Sequence, residues 1–301
     1  MPSETPEIAQ SIEGDKLYQE RAKRAFPLLV RQALAHQPIF YDSLAEELEM
    51  PYALNLNFVL GSIGKTVENL SREWNEEIPP IQSLVINKQT ELPGDGVFGF
   101  LAPNQDVKSL NRKQKRDLVN AVLQKIYFYP RWFDVLDHFS LPRPTSDFTR
   151  LVRAASAGRG GGESEAHRNF KEWVATQPRI LGLSERIANG VCEYPLPSGD
   201  VVDVYFTQTS ECIAVETKSK ISDVNDITRG IFQCVKYQAV LEASLLARGQ
   251  KADARAILAL EARLPSELVS LKNLLGVVIY DNLRLQNDPQ ILEEQIAKKV
   301  V

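Results

Sequence analysis

Cysteine is scarce in this chain of 301 residues: there are three, Cys192, Cys212 and Cys234, and no C-x-x-C pair. An odd number without paired spacing excludes a disulfide framework and a cysteine zinc centre, and it predicts a reducing, cytoplasmic setting. Histidines also number three, none at ligand spacing, which removes the usual zinc alternatives. No apolar run approaches the roughly 18 residues of a membrane span, so no membrane partner is expected. The opening MPSETPEIAQSIEGDK has neither a basic region nor an apolar one, so no secretory leader is expected. Charge of one sign is missing too: 35 Lys+Arg stand against 39 Asp+Glu, a net charge of −4. The deficit divides evenly between the two halves, leaving no basic tail. Any nucleic-acid contact must therefore use a local patch. What is present, 44% hydrophobic and 25% charged residues, is ordinary globular composition at the length of about two domains.

The pattern changes along the chain. Residues 1–14 are polar and aperiodic, as in a mobile tail. From Asp15, a candidate N-cap, a helix is expected to about His36, with a break or second start at Pro27. The short β-like Ile39-Phe40-Tyr41 follows. A brief helix comes next, SLAEELEM, in which Ser43 and Glu46 have capping-box spacing, and then an amphipathic segment over Asn55–Glu76. Ile81–Lys88 and Val97–Leu101 read as strands joined by the turn-rich QTELPGDG. Helix, strand, two helices and a β-hairpin, over about 20–102, is an order that resembles a winged helix, with the hairpin tip as the wing. A further helix over Asn111–Tyr127 opens with Arg112, Lys113, Lys115 and Arg116, a solvated face by default and a candidate phosphate contact. Residues 15–140 thus form the expected N-terminal, mostly α, winged-helix-like DNA-binding domain.

Residues 141–162, with two prolines, several serines and Gly160-Gly161-Gly162, read as a linker. Beyond it the pattern is α/β: a helix over Glu163–Thr176, and strands Val201–Phe206 and Cys212–Lys218 joined by TQTSE as a hairpin. A long helix Asp226–Ala247, a strand Arg255–Leu260, a helix Ser266–Leu274 and a buried strand Gly276–Tyr280 follow. NDPQILEEQIAKK reads as a last helix. Residues 163–301 are expected to form a mixed sheet flanked by helices.

The informative stretch is SGDVVDVYFTQTSECIAVETKSK. Side chains alternate along a strand, so Glu216 and Lys218 project from one face and Thr217 from the other. Ile213-Ala214-Val215 makes that strand interior, so the charges at its end need partners. Asp203, on the preceding strand, is the natural neighbour. Two carboxylates with the Thr217 backbone carbonyl form the oxygen-only ligand set that Mg²⁺ prefers. Lys218 could then orient a water and neutralise charge on a phosphate.

Asp203, twelve residues, then Glu216-Thr217-Lys218 resembles the PD-(D/E)xK nuclease superfamily, with Val202 where proline often precedes the first acid. Gln233-Cys-Val-Lys-Tyr237 matches the Q-x-x-x-Y element that follows the acid-x-Lys strand in RecB-like members. The resemblance covers about 163–245 and implies a restriction-endonuclease-like fold. It implies Asp203 and Glu216, with Thr217, as ligands of Mg²⁺ (Mn²⁺ substituting), Lys218 assisting the attacking water, and Gln233 lining the site. It also implies a carboxylate on the first helix, Glu163 or Glu165. Glu163 shares a helix face with His167 and Glu165 points elsewhere, but first-turn glutamates also complement a helix dipole, so spacing does not choose between them. The expected function is Mg²⁺-dependent hydrolysis of DNA phosphodiester bonds in restriction, anti-phage defence or DNA processing. The resemblance further implies a homodimer. A non-catalytic DNA-binding or regulatory protein and an RNA- or phosphate-ester-directed enzyme are the alternatives.

Other signals are discounted. Gly61-Ser-Ile-Gly64-Lys65-Thr66 looks like the end of a P-loop, but the required first glycine is Val59 and no buried strand precedes it, so no nucleotide cofactor is expected. Asp106-Val107-Lys108, a second acid-x-Lys, sits in a polar stretch. Trp132, Phe133 and Phe139 are expected as interdomain core, and the cysteines as packing residues.

Overall fold

The computed structural model describes residues 9–51, 53–101, 109–145, 147–157, 164–184, 186–208, 211–251 and 253–283. Gly160-Gly161-Gly162, Glu163, Asp106-Val107-Lys108 and the expected C-terminal helix lie outside them. The chain divides into two compact units, Met1–Ser146 with Asn273–Gly276, and Asp147–Lys272 with Val277–Val301. No helix of the described residues is long and apolar enough to cross a membrane.

The N-terminal unit is mostly helical: α1 (Leu17–Leu34), β1 (Ile39–Phe40), α2 (Tyr41–Glu47), α3 (Leu56–Trp74), β2 (Val85–Ile86), α4 (Asp95–Leu101), α5 (Arg112–Tyr127) and α6 (Trp132–His138). Pro27 does not interrupt α1, which runs on through it and buries Phe26, Leu29 and Val30. Lys16 rather than Asp15 is the N-cap, with the Gln19 side chain accepting from the Lys16 N–H at 3.1 Å. Asn111 caps α5 through a capping box with Gln114.

The expected hairpin does not form. Ile81–Leu84 is a 3₁₀ turn, β2 pairs in parallel with β1 through Ile39↔Val85, and Val97–Leu101 belongs to a helix. Among the described residues this unit has no wing. The physical reason is periodicity: Phe98 packs with Leu92 and Val119, and Leu101 joins the same cluster from the next helical turn. Trp132 is fully buried in the core of this unit and donates from Nε1 to the Ile126 carbonyl at 2.9 Å, so it is not interdomain core. Phe139 packs on that same core, while Phe133 is exposed beneath the Arg143 guanidinium. The basic cluster on α5 is partly engaged, Arg116 with Glu91 and Lys115 over the Phe98 ring.

The C-terminal unit is an α/β layer structure. Its elements are α7 (Thr149–Ala157), α8 (Glu165–Thr176), β3 (Val191–Pro195), β4 (Val201–Gln208), β5 (Glu211–Lys218), α9 (Val224–Ala247), β6 (Ala254–Leu260), α10 (Val269–Leu274) and β7 (Val278–Tyr280). The strands form one mixed sheet in the order β3-β4-β5-β6-β7, antiparallel as far as β5 and parallel beyond it. The stretch read as linker contains α7, which packs against α9. The Asp147 side chain accepts from the Thr149 N–H at 3.0 Å to start it, and Ala155 is buried in it while Leu151 is half-buried and Val152 exposed.

Alternation along the strands assigns the two faces. Val204, Phe206, Ile213, Val215, Ile257 and Ala259 meet Phe170 and Val174 of α8. Ala214, Glu216 and Leu258 lie on the opposite face, where α9 covers β5 and β6. A central sheet buried on both faces needs apolar residues at nearly every strand position, and β6 (ARAILAL) shows that run. β7 lies at the sheet edge and is only half-buried, since a single neighbour covers it.

Candidate active site

β4 carries an irregularity at Asp203. Its pairing with β3 passes from Cys192↔Val204 to Tyr194↔Val202, and its pairing with β5 ends at Val204↔Val215, so the ladder skips Asp203 on both sides. Opposite it, Glu193 has φ of +56°, a left-handed conformation costly for a residue with a Cβ. Freed from the ladder, the Asp203 carboxylate bridges to β5: Oδ2 accepts from the Thr217 N–H and the Thr217 hydroxyl, each at 2.8 Å. Thr217 projects from the face of β5 opposite Glu216 and Lys218, as alternation requires. It is fully buried, and its side chain secures the first acid of the site.

Glu216 and Lys218 emerge from one face of β5, as alternation requires. Glu216 is 3% exposed, and Lys218 Nζ donates to its Oε1 at 2.8 Å. Burial pushes the Glu216 carboxyl up to about 7, with the Asp203 charge adding to the effect and Lys218 opposing it. Burial works most strongly against the Lys218 ammonium, but the charge and hydrogen bond of Glu216, with the charges of Asp203 and Asp226, together hold Lys218 above its ordinary range. Burial opposes ionisation of Asp203 as well, yet contacts from His167 and Thr217 keep its carboxyl below the usual range. Two carboxylates on adjacent strands thus titrate far apart, an arrangement found where a site must bind charge or move protons.

From α8, His167 brings Nε2 to 3.5 Å from Asp203 Oδ2, and Asp203 raises the imidazole pKa. Ser164 caps this helix by accepting from the His167 N–H at 3.2 Å, which fixes His167 at its N-terminal end. Lys171, one turn on, is buried against Glu193. Glu165, a candidate acid, is exposed and outside the lining of the cleft, so it does not enter the site. From α9, Gly230 sits where the helix crosses β5: a Cβ there would stand 2.9 Å from Leu258 Cδ1 and 3.0 Å from Lys218 Cε. Gln233 lines the cleft, whereas Tyr237 is buried behind it, accepting from Gln233 at 3.1 Å and donating to the Val201 carbonyl at 3.2 Å.

These groups meet in one open cleft of about 1000 Å³. Asp203, Glu216, Lys218 and Gln233 all line it, so four of the sequence-derived candidates converge. Four basic and four acidic side chains contribute to the lining. Ser219 Oγ and Arg229 Nη1 are buried there without a hydrogen-bond partner, donors available to an acceptor-rich ligand. His167, Lys171, Ser219 and Gly230 were not selected from sequence. A glycine in mid-helix is the visible signal for Gly230; nothing local marks the others.

Among the described residues no group of three or more His, Cys, Asp or Glu is arranged to hold an ion. Mg²⁺ commonly takes one or two carboxylates and completes its shell with water and substrate phosphate oxygens. The candidate donors, the Asp203 and Glu216 carboxylates with the Thr217 backbone carbonyl, are all oxygens, the ligand type such an ion takes. Comparison with protein-family models, curated proteins and solved structures finds no match to this chain.

Proposed function

We propose that the chain is a Mg²⁺-dependent endonuclease hydrolysing DNA phosphodiester bonds, with its chemistry in the C-terminal unit. The observation that carries this reading is the convergence of Asp203, Glu216 and Lys218 on one cleft floor beside unpartnered donors of Ser219 and Arg229. Asp203 and Glu216, with the Thr217 backbone carbonyl, would hold the ion. When bound, it supplies a Lewis acid for the developing phosphate charge and lowers the pKa of water. Thr217 and His167 keep Asp203 ionised and oriented. Lys218 carries the positive charge that orients a water and balances a phosphate oxygen. Arg229 and Ser219 offer hydrogen bonds to the backbone of the strand. The pattern Asp203…Glu216-x-Lys218 is what likens the site to PD-(D/E)xK nucleases, and a role in restriction, anti-phage defence or DNA processing follows from that likeness. Homodimerisation, which would cut both strands, belongs to the same proposal.

The lack of a three-donor cluster among the described residues favours the other reading, a DNA-binding protein without catalysis. Supercoiled plasmid incubated with the full chain separates the two. Nicking or linearisation with Mg²⁺ or Mn²⁺, absent with EDTA and in Glu216→Ala and Lys218→Ala, is the expected result. Intact plasmid in every lane, alongside DNA binding that survives both substitutions, establishes the non-catalytic role.

Gly230→Ala tests the fit of α9 over the site. Alanine favours the helix by roughly 1 kcal/mol, but its methyl crowds Lys218 Cε and Leu258. Cleavage is expected to fall about tenfold while the melting temperature moves by only a few degrees. An unchanged rate would show that Lys218 does not depend on this contact.

A further inference from the structure

The N-terminal unit holds a separate cavity of about 290 Å³, between α3, the Ile81–Leu84 turn and α4, with Tyr41 of α2 on one side. Its lining is mostly apolar or glycine, with the Tyr41 and Phe100 rings among its walls. Gln82 is one of the residues that line it. The residue is 1% exposed, and neither its amide nitrogen nor its oxygen has a hydrogen-bond partner. A buried primary amide with neither end satisfied is costly and calls for a partner. The space around it is deliberately shaped: a Cβ at Gly64 would stand 2.5 Å from Gln82 Nε2 and 3.0 Å from Phe100 Cζ.

The stretch that mimics a P-loop therefore has another use. Gly61 and Gly64 lie inside α3, where Gly61 lines the cavity and Gly64 makes room for the amide. Thr66 is occupied elsewhere, accepting from the Ile12 N–H and donating to the Ser62 carbonyl, and Lys65 pairs with Glu68. These groups are not arranged around a phosphate.

The geometry points to a binding site for a planar nitrogen heterocycle with a donor and an acceptor side by side, the edge that nucleobases share. A carboxamide presents N–H and C=O in one plane and pairs with such an edge through two hydrogen bonds. Aromatic walls accept a flat ring face. The volume lies at the small end of ligand pockets, about 300–1,000 Å³, which suits a base or nucleoside. Among the described residues no lysine or arginine lines the cavity and Asp95 does, which does not favour a phosphate inside it. The ligand is a neutral base, supplied by a free nucleoside or by a base turned out of a strand.

Calorimetric titration of the full chain tests this with adenosine, guanosine, cytidine, thymidine and uridine, and in a second arm with a mixed-sequence single-stranded oligonucleotide. At least one probe is expected to bind with a dissociation constant below about 1 mM. Gln82→Met is expected to weaken that binding at least tenfold while the ligand-free melting temperature holds or rises, because the substitution removes an unsatisfied amide. Phe100→Leu, which keeps Gln82, should weaken it several-fold. Nucleoside binding lost in Gln82→Met identifies a free ligand; oligonucleotide binding alone, lost in the same variant, identifies a strand base. No probe bound by the native chain, or binding unaffected by Gln82→Met, overturns the proposal.

Discussion

Replacing Glu216 with glutamine is expected to abolish Mg²⁺-dependent cleavage and, in the same protein, to flatten the dependence of its stability on pH. The first effect follows from removing one of two carboxylates that would hold the ion. The second follows from the raised carboxyl pKa, from the usual 4.5 to about 7. The folded state keeps a proton on Glu216 where the unfolded chain has released it. Its contribution to stability is therefore full below about pH 4.5 and is lost as pH rises through 7. At roughly 1.4 kcal/mol per pKa unit the loss is about 3 kcal/mol, roughly 6–12 °C for the melting of a unit this size. The raised pKa of His167 acts in the same direction: its contribution is present below the ordinary imidazole value and fades as pH climbs through the folded one.

Thermal melts from pH 5 to 8 in EDTA check this. The native chain should lose stability across the range and regain it at pH 8 on addition of Mg²⁺, because an ion bound only by the folded state stabilises it. Glu216→Gln should keep only the smaller slope due to His167 and show no response to Mg²⁺. A native chain indifferent to both pH and Mg²⁺ would remove the basis for an ion between the two acids.

Lys218→Met has the next largest expected effect. Lys218 is the hydrogen-bond donor to Glu216 at 2.8 Å, and its charge is what opposes the rise in the Glu216 pKa. Without it the effects of burial and of the Asp203 charge are opposed by His167 but no longer by Lys218, and the carboxyl climbs further above its ordinary range. Cleavage should fall by about 10²–10⁴, the range for losing a group that assists proton transfer. The acidic limb of the rate–pH profile should also move to higher pH. Lys218→Arg separates charge from shape: it should restore the profile more than the rate, since a planar guanidinium does not replace a compact ammonium in so tight a space. A rate loss without a displaced profile would mean that Lys218 contacts substrate without tuning Glu216.

Much of the C-terminal site was legible because a strand's period of two is rigid. The apolar Ile213-Ala214-Val215 marked an interior strand, and alternation then placed Glu216 and Lys218 on one face. Asp203 fell opposite because the hairpin linking β4 and β5 is short. Sequence could not show that the ladder opens on both sides of Asp203, since that depends on the left-handed backbone at Glu193 and on hydrogen bonds from Thr217. It left the choice between Glu163 and Glu165 open, and it passed over His167, whose place depends on where α8 docks against β4.

In the N-terminal half the reading of Val97–Leu101 as a strand failed for a related reason. Five residues rich in apolar and aromatic side chains satisfy either period, and packing of Phe98 against Leu92 and Val119 decides for a helix. Gln82 gave no sign at all, because an unpartnered amide is a property of what surrounds it.

Local chain chemistry alone determined the two-part α then α/β order, the interior strand and the pairing of acid with lysine, since alternation and helical period act over a few residues. Tertiary structure decided which acid loses its proton last, which helix supplies the histidine and where a cavity opens. Burial and cross-strand register are set by residues far apart in the chain.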